Sequence, residues 1–250
     1  MAKEQDKIYV DSSKVSMRLI SKDVAKEIIE KNHYSHKFSS TRYALGIFYK
    51  KNTHSFFDGE IDILIGCMTY GYPVGRLAAE SISEKIQPNE VLELTRLYIE
   101  DGYGSNIESY VIGLSFNWIK NNDKTIKALI SYADPQVGHL GKIYQSTNWL
   151  YQGDSMRLVD AYSLKYDLSD KLWMHSRTVF SKYGSNNVDV LKKAIQKTFW
   201  LKLEERKHRY LYFLCGKIER KSIVKELKHP ILSYPKLLNQ KDEKLIEVKI

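Results

Sequence analysis

The chain has 250 residues, 43% hydrophobic and 28% charged, a balance that excludes a disordered or fibrous chain and allows a sizeable buried core. No run approaches the roughly 20 apolar residues of a membrane span, and the polar start, Met1 to Asp11, lacks an apolar signal region, so a cytoplasmic protein without membrane contact is expected. A formal net charge of +9 with 18 tyrosines suits a polyanion, since Lys and Arg release phosphate counterions while rings stack on bases.

The same charge also arises in any lysine-rich sequence from an AT-rich genome. Cys67 and Cys215 each sit in an apolar run without a partner at metal-ligand spacing, and read as buried thiols in a reducing compartment.

In chain order, Lys14 to Ile20 alternates Val15, Met17 and Leu19 and predicts a first strand. Ser21 then caps a helix over Lys22 to Lys31, with Val24, Ala25, Ile28 and Ile29 as its apolar stripe. The helix stops at Asn32-His33-Tyr34-Ser35-His36, where two histidines three apart flank a tyrosine. Such a cluster is either a solvated helix end or part of a site. Tyr43 to Lys50 and Asp62 to Tyr70 read as a hairpin around a polar loop, Lys51 to Glu60. Val91 to Ile99 is a strong strand that places Leu92, Leu94, Arg96 and Tyr98 on one side. Arg96 is then a snorkelling surface arginine or one that faces a site.

The chain continues through Gly102-Tyr103-Gly104-Ser105-Asn106 into a helix from about Ile107 to Asn121. A glycine loop opening onto a helix start presents free N–H groups and a positive dipole end to an anion, although a turn with its cap looks the same. It lacks the GK[ST] ending of a P-loop. The strand Ala128 to Tyr132 follows and ends at Asp134-Pro135. Gly138 and Gly141 then flank His139, with a short helix over His139 to Thr147 carrying Tyr144. Polar groups crowded past the carboxyl end of a strand are where open α/β sheets place ligands, and also simply how strands end. Met156 to Tyr166 and Leu172 to Val179 are expected as closing strands.

From Tyr183 onward Lys and Arg outnumber acids, with Phe199, Trp200, Tyr210, Tyr212 and Phe213 between them. A helix near Val190 to Phe199, a strand over Tyr210 to Leu214 and a helical turn over Ser222 to Leu227 are expected. This region is a polyanion-facing extension or a solvated, lysine-rich closing subdomain.

The order of elements resembles the GNAT acyltransferase fold: strand, helix, hairpin, strand, glycine loop with helix, strand, helix and closing strands. The resemblance implies an α/β (α+β) architecture: a mixed, splayed central sheet flanked by helices, with a basic C-terminal appendage. Acetyl-CoA or a related acyl-CoA would lie in the gap between Val91 to Ile99 and Ala128 to Tyr132, held by Arg96, Leu97, Tyr98, Gly102, Gly104, Ser105, Asn106 and Ser109. The loop departs from the usual R/Q-x-x-G-x-G/A pattern. A closer resemblance, over about Met17 to Tyr162, is to the Mom family of phage DNA-modification proteins. It is carried by the Asn32 to His36 cluster, Leu94-Thr95-Arg96-Leu97, Ser105 to Ser115, Tyr132 to His139 and Tyr144-Gln145. Residues 1–180 would be the catalytic domain and 181–250 a DNA-facing extension packed on it.

The Mom resemblance implies a transferase that modifies adenine N6 in double-stranded DNA, giving a methylcarbamoylated, acetamido-bearing base that shields phage genomes from restriction. Its catalytic positions fall on His33, Tyr34, Asp134 and Tyr144. Iron is implied as a cofactor, with His33, Tyr34 and Asp134 as N/O ligands. His33 is expected as proton acceptor with Asp134 orienting it, and Tyr34 or Tyr144 as proton donor. Tyr144 or Tyr151 would stack on an extruded base, and Lys207, Arg209, Arg220 and Lys221 would grip phosphates. Two alternatives are an N-acetyltransferase acting on a protein or small amine and a non-catalytic DNA-binding module on the same scaffold.

Overall fold

The structure is a computed structural model, and it describes residues 9–53, 59–74, 76–155, 161–236 and 245–249. Two compact units divide the chain. The first runs to Tyr132 and includes Gly141–Gly153 and Arg209–Tyr234; the second holds Ala133–Leu140, Asp154–His208 and the residues from Pro235. The stretch 181–250 expected as an extension is thus shared between both units.

In the first unit the chain forms β1 (Val15–Leu19), α1 (Lys22–Asn32), β2 (Tyr43–Thr53), β3 (Gly59–Gly71), α2 (Arg76–Glu80) and β4 (Val91–Ile99). It continues as α3 (Ile107–Asn122), β5 (Ala128–Ala133), α4 (Lys142–Gln145) and β6 (Leu150–Asp154). After the second unit the chain returns as β9 (His208–Phe213) and α7 (Lys217–Val224). The strands make one mixed sheet in the order β1-β2-β3-β4-β5-β9-β6. The expected hairpin of β2 and β3 pairs from Tyr43↔Tyr70 to Thr53↔Gly59, so strand replaces part of the expected loop, whose residues 54–58 lie outside the described residues. β4 pairs antiparallel with β3 but parallel with β5, and that parallel pairing covers only Val91↔Ala128, Leu92↔Leu129 and Glu93↔Ile130. Beyond them no further pair joins the two strands among the described residues. This is the splay that the acyltransferase resemblance implies.

Helices cover both faces. Ser21 Oγ accepts the Val24 N–H at the start of α1, and the stripe residues Ala25 and Ile29 pack on Ala44 and Cys67 beside Tyr98. Burial pushes the Cys67 thiol up to about 12, which makes it an inert packing group. On the opposite face Tyr70 Oη lies 2.7 Å from Ser115 Oγ of α3. One irregularity decides which residues face α1. The register slips between Thr69↔Arg96 and Tyr70↔Leu94, so Thr95 is an extra residue in β4. A bulge of this kind reverses the alternation that follows it. Leu94 therefore faces α3, whereas Arg96 and Tyr98 face α1, which corrects the expectation that Leu92, Leu94, Arg96 and Tyr98 share one side.

The second unit contains β7 (Tyr162–Lys165), α5 (Ser176–Tyr183), α6 (Val188–Ile195), β8 (Phe199–Leu203) and β10 (Leu245–Val248), with a sheet in the order β10-β8-β7. Leu164, Val179, Leu191, Phe199, Leu201 and Val248 form its core. Of the strand expected over Leu172 to Val179, Met174 makes one antiparallel bridge to Leu164, and from Ser176 onward the chain is α5 instead. His175 caps that helix by accepting the Arg177 N–H, and the buried Glu204 carboxylate accepts the Ser176 N–H at 2.8 Å. Of the strand expected over Met156 to Tyr166, residues 156–160 lie outside the described residues, and β7 supplies the rest.

Glu204 also accepts from Ser163 Oγ and Ser176 Oγ, each at 2.8 Å. Burial raises its carboxyl, but the Ser176 and Ser163 donors outweigh that and hold it below the ordinary glutamate value. A carboxyl lowered by folding contributes stability above its unfolded value and loses it as pH falls through the folded value. Glu204→Gln should therefore be less stable than wild type at pH 7, by about 1–3 kcal/mol for a buried donor network mismatched to its acceptor. The gap should close as pH falls through the lowered Glu204 value, as followed by urea unfolding across pH.

Candidate functional site

The root of the splay is closed by a side chain. Where the β4–β5 ladder stops, Ser131 Oγ donates to the Leu94 carbonyl at 2.9 Å and lies 2.8 Å from Tyr144 Oη. Serine has one proton, so when the carbonyl holds it the Tyr144 hydroxyl donates to Ser131. Tyr144 is brought there by the αL glycine Gly141 at the start of α4. A Cβ at Gly141 would meet the Tyr210 ring at 2.4 Å. Burial pushes the Tyr144 phenol up to about 12, so it keeps its proton at neutral pH.

The loop after α1 supplies the next groups. His33 ends the helix, and His36 takes φ 45° with its Nδ1 2.9 Å from Glu30 O. The ring of His33 lies 4.3 Å from that of Tyr34. His33 Nδ1 accepts the Ser35 N–H at 3.1 Å and sits 2.8 Å from Ser35 Oγ. A ring nitrogen that accepts a backbone N–H carries no proton, so the neutral imidazole keeps its proton on Nε2. Ser35 thus holds His33 in the tautomer with Nε2–H as a donor, whereas a proton acceptor was expected.

Arg96, turned by the bulge, fastens this loop to the sheet. Its Nε donates to Lys37 O at 2.8 Å and its Nη1 to Thr95 O at 2.6 Å. Burial lowers the guanidinium, against the pull of Tyr34 and Glu93. Tyr34 and Glu93 also act on Tyr144, raising its phenol further. Tyr34, Glu93, Arg96 and Tyr144 thus share one electrostatic neighbourhood, with Tyr34 53% exposed. Glu93 and Ser131 escaped the sequence reading. The available signal was a polar residue interrupting each of two apolar strands beside the gap.

Asp134 belongs to the second unit. Its carboxylate accepts the Gln136 N–H at 3.0 Å and pairs with Lys207 Nζ at 3.0 Å. Of the iron ligand set, His33 and Tyr34 thus share one unit while Asp134 is committed in the other. Among the described residues no three His, Cys, Asp or Glu side chains gather to hold a metal ion.

The residues expected around the acyl carrier divide in two. Arg96, Leu97 and Tyr98 lie on the stretch of β4 past the last β5 pair, whose open edge offers backbone N–H and C=O groups to an extended ligand. The loop holds the chain's own beginning instead. Asn106 Oδ1 accepts the Val10 N–H at 2.8 Å, and a Cβ on Gly104, at φ 114°, would stand 2.4 Å from Val10 N. Gly102 takes φ 99°, Ser109 Oγ donates to Asn106 O, and Glu108 puts a negative charge in the first turn of α3. Ser105 adds no side-chain hydrogen bond that marks it. The open edge fits an extended acyl carrier; Gly104 is explained by close backbone approach.

Two further expectations change. Tyr144 and Tyr151 are 8% and 7% exposed, in an aromatic cluster with Trp149 and Tyr210, and cannot stack on an extruded base. Arg209 is 5% exposed and donates to Ser81 Oγ at 2.7 Å and Ala78 O at 3.4 Å, leaving no face for a phosphate. Arg220 and Lys221 lie on α7, both exposed.

Comparison with known proteins adds the lineage. A model of the Mom protein family matches residues 14–236. The chain belongs to the Mom protein family. It is 25% identical to the methylcarbamoylase mom of Escherichia phage Mu over 227 residues, covering 90% of this chain and 85% of that protein. Among solved structures it is similar to a putative phosphinothricin N-acetyltransferase at 11% identity and TM-score 0.40, covering 81% of this chain and 99% of that one. It is also similar to the spermidine N-acetyltransferase of Vibrio cholerae in complex with CoA and spermine, at 6% identity and TM-score 0.40, covering 81% and 97%. No helix among the described residues is long and apolar enough to cross a membrane.

The Ser131 hydroxyl is the joint of this site. Ser131→Ala leaves a buried carbonyl and the Tyr144 phenol without it, and should cost about 1–3 kcal/mol. Urea unfolding measures the loss, and a threonine variant that keeps the hydroxyl should recover most of it.

Proposed function

We propose that this transferase-like enzyme modifies adenine in double-stranded DNA at the exocyclic N6, placing a methylcarbamoyl-type group there and so shielding phage DNA from restriction. The observation that carries this reading is the family match across residues 14–236, together with the likeness to a methylcarbamoylase along nearly the whole chain. An acyl-CoA held along the open edge of β4 at Leu97 and Tyr98 would supply an activated carbonyl: N6 attack there forms the N6–C bond, breaks the C–S bond and releases the CoA thiol, giving an N6-acyl adenine, while a methylcarbamoyl-type group, with its amide nitrogen, requires a separate nitrogen donor as co-reactant.

The chain's own groups divide the proton work. Adenine N6 is a weak nucleophile because its lone pair is delocalised into the ring, so attack requires a group to hold the departing proton. With His33 Nδ1 occupied by Ser35, that group is the Glu93 carboxylate. His33 Nε2–H is the donor assigned to the carbonyl oxygen, where preorganised hydrogen bonds lower the barrier most. Tyr144 Oη, protonated at neutral pH and paired with Ser131, supplies the proton that the departing thiolate takes up. Tyr34, exposed and tilted against His33, is the ring that receives the extruded base. On α7 the exposed Arg220 and Lys221 meet phosphates, and in the second unit Lys207, paired with Asp134, is a separate phosphate contact.

The donor and acceptor roles of His33 separate in a substitution series. A glutamine carboxamide reaches the Nε2 position with N–H groups, an asparagine does not. His33→Asn and His33→Ala should lower modified deoxyadenosine by about 10²–10³-fold, as removal of an oxyanion donor does, while His33→Gln should stay within roughly tenfold of wild type. Nucleoside mass spectrometry of co-expressed plasmid reads the result. Equal loss in all three variants would return His33 to the base role, and unaltered nucleosides in cells making wild-type protein would end the DNA-modification reading itself.

A further inference from the structure

In the first unit, α7 forms one wall of an open groove of about 960 Å³. Lys85, Lys217, Arg220, Lys221 and Lys225 line it, over an apolar floor that includes Leu150, Val224 and Ile231. No acidic side chain is among the lining residues. Lys217, Lys221 and Lys225 recur every fourth residue, so they project from one side of the helix. Like charges at that spacing oppose helix formation. The acids nearby are used elsewhere. Glu226 pairs with Lys85 at 2.6 Å and Glu219 with Lys127 at 3.0 Å, while no ion pair among the described residues engages Lys217, Arg220, Lys221 or Lys225. The Lys127–Glu219 pair ties α7 to the start of β5, whereas Ser131 and Tyr144 meet near its end.

We infer that this groove binds the sugar-phosphate strand of a nucleic acid, as a second contact at the opposite end of β5 from the reacting groups. The inference rests on the duplex-DNA substrate proposed above and adds Lys85, Lys217 and Lys225 to the residues that hold it. A backbone strand alternates anionic phosphates with less polar sugars, which matches cationic walls over an apolar floor. Four cations without carboxylate partners are an unfavourable arrangement until an anion chain lies among them.

The test is duplex binding by fluorescence anisotropy at a series of salt concentrations, with the full chain and a 20-base-pair probe. Each phosphate contact contributes about 0.9 to the slope of log affinity against log salt. K217Q/K225Q should reduce the slope by about 2, and K217Q/R220Q/K221Q/K225Q by about 4. K192Q/K193Q on α6, which removes two charges outside the groove, should leave the slope as in wild type. A wild-type chain that does not bind the duplex overturns the substrate reading and this inference together. Wild-type binding with an unaltered slope in the groove variants overturns the groove alone, as does an equal loss in the α6 variant. Preferential binding to anionic lipid vesicles with none to duplex would also overturn it.

Discussion

The parting of β4 from β5 after three paired residues is the constraint on which the rest of the first unit depends. A parallel ladder that stops early leaves backbone groups to be satisfied, and a buried one left alone costs free energy comparable to a lost hydrogen bond. Here one serine hydroxyl takes up the Leu94 carbonyl and meets a tyrosine that a short helix delivers. The hydroxyl pair is therefore structural and chemical at once. It closes the root of the gap, and it puts a protonated phenol where the strand edge of β4 becomes available.

The bulge at Thr95 is the second device. Without the extra residue Arg96 would follow Leu94 onto the α3 face. With it, the guanidinium reaches Lys37 O and holds the His33–Tyr34 loop against the sheet. Bulges are found where a strand must re-aim a side chain next to a site, and this one sets which face carries the polar cluster. Ser35 then fixes the tautomer of His33 through a single backbone N–H. The chemistry assigned to the histidine thus follows from a contact two residues away in the chain.

Much of the architecture was legible in the sequence because periodicity and capping are local. The Ser21 cap, the Ala25–Ile29 stripe and the β2–β3 pairing all read directly from residue order. The mixed, splayed sheet came from element order and family likeness. What could not be read was set by non-local contacts. The strand expected at Leu172 to Val179 became helix α5 because Glu204, far along the chain, accepts the first N–H. Arg209 looked like a phosphate contact, since charge alone does not reveal that Ser81 and Ala78 enclose it. Gly104 matched a phosphate loop in composition, while its cause is the passage of Val10. Glu93 and Ser131 carried a weak signal, a polar residue in an apolar strand, whose meaning depends on where the neighbouring strand departs.

The route of the chain has a consequence for how the molecule is made. β9 lies between β5 and β6 in the main sheet, although more than fifty residues of another unit separate it from β6. During synthesis β5 and β6 emerge long before the strand that joins them, each with an unsatisfied backbone edge. Such edges are the sites where nascent chains pair wrongly with one another. Most of the second unit is thus made inside an interval when the first is still open, with its strand β10 following later still, and a ribosome that stops before Phe213 releases a sheet with a missing plank.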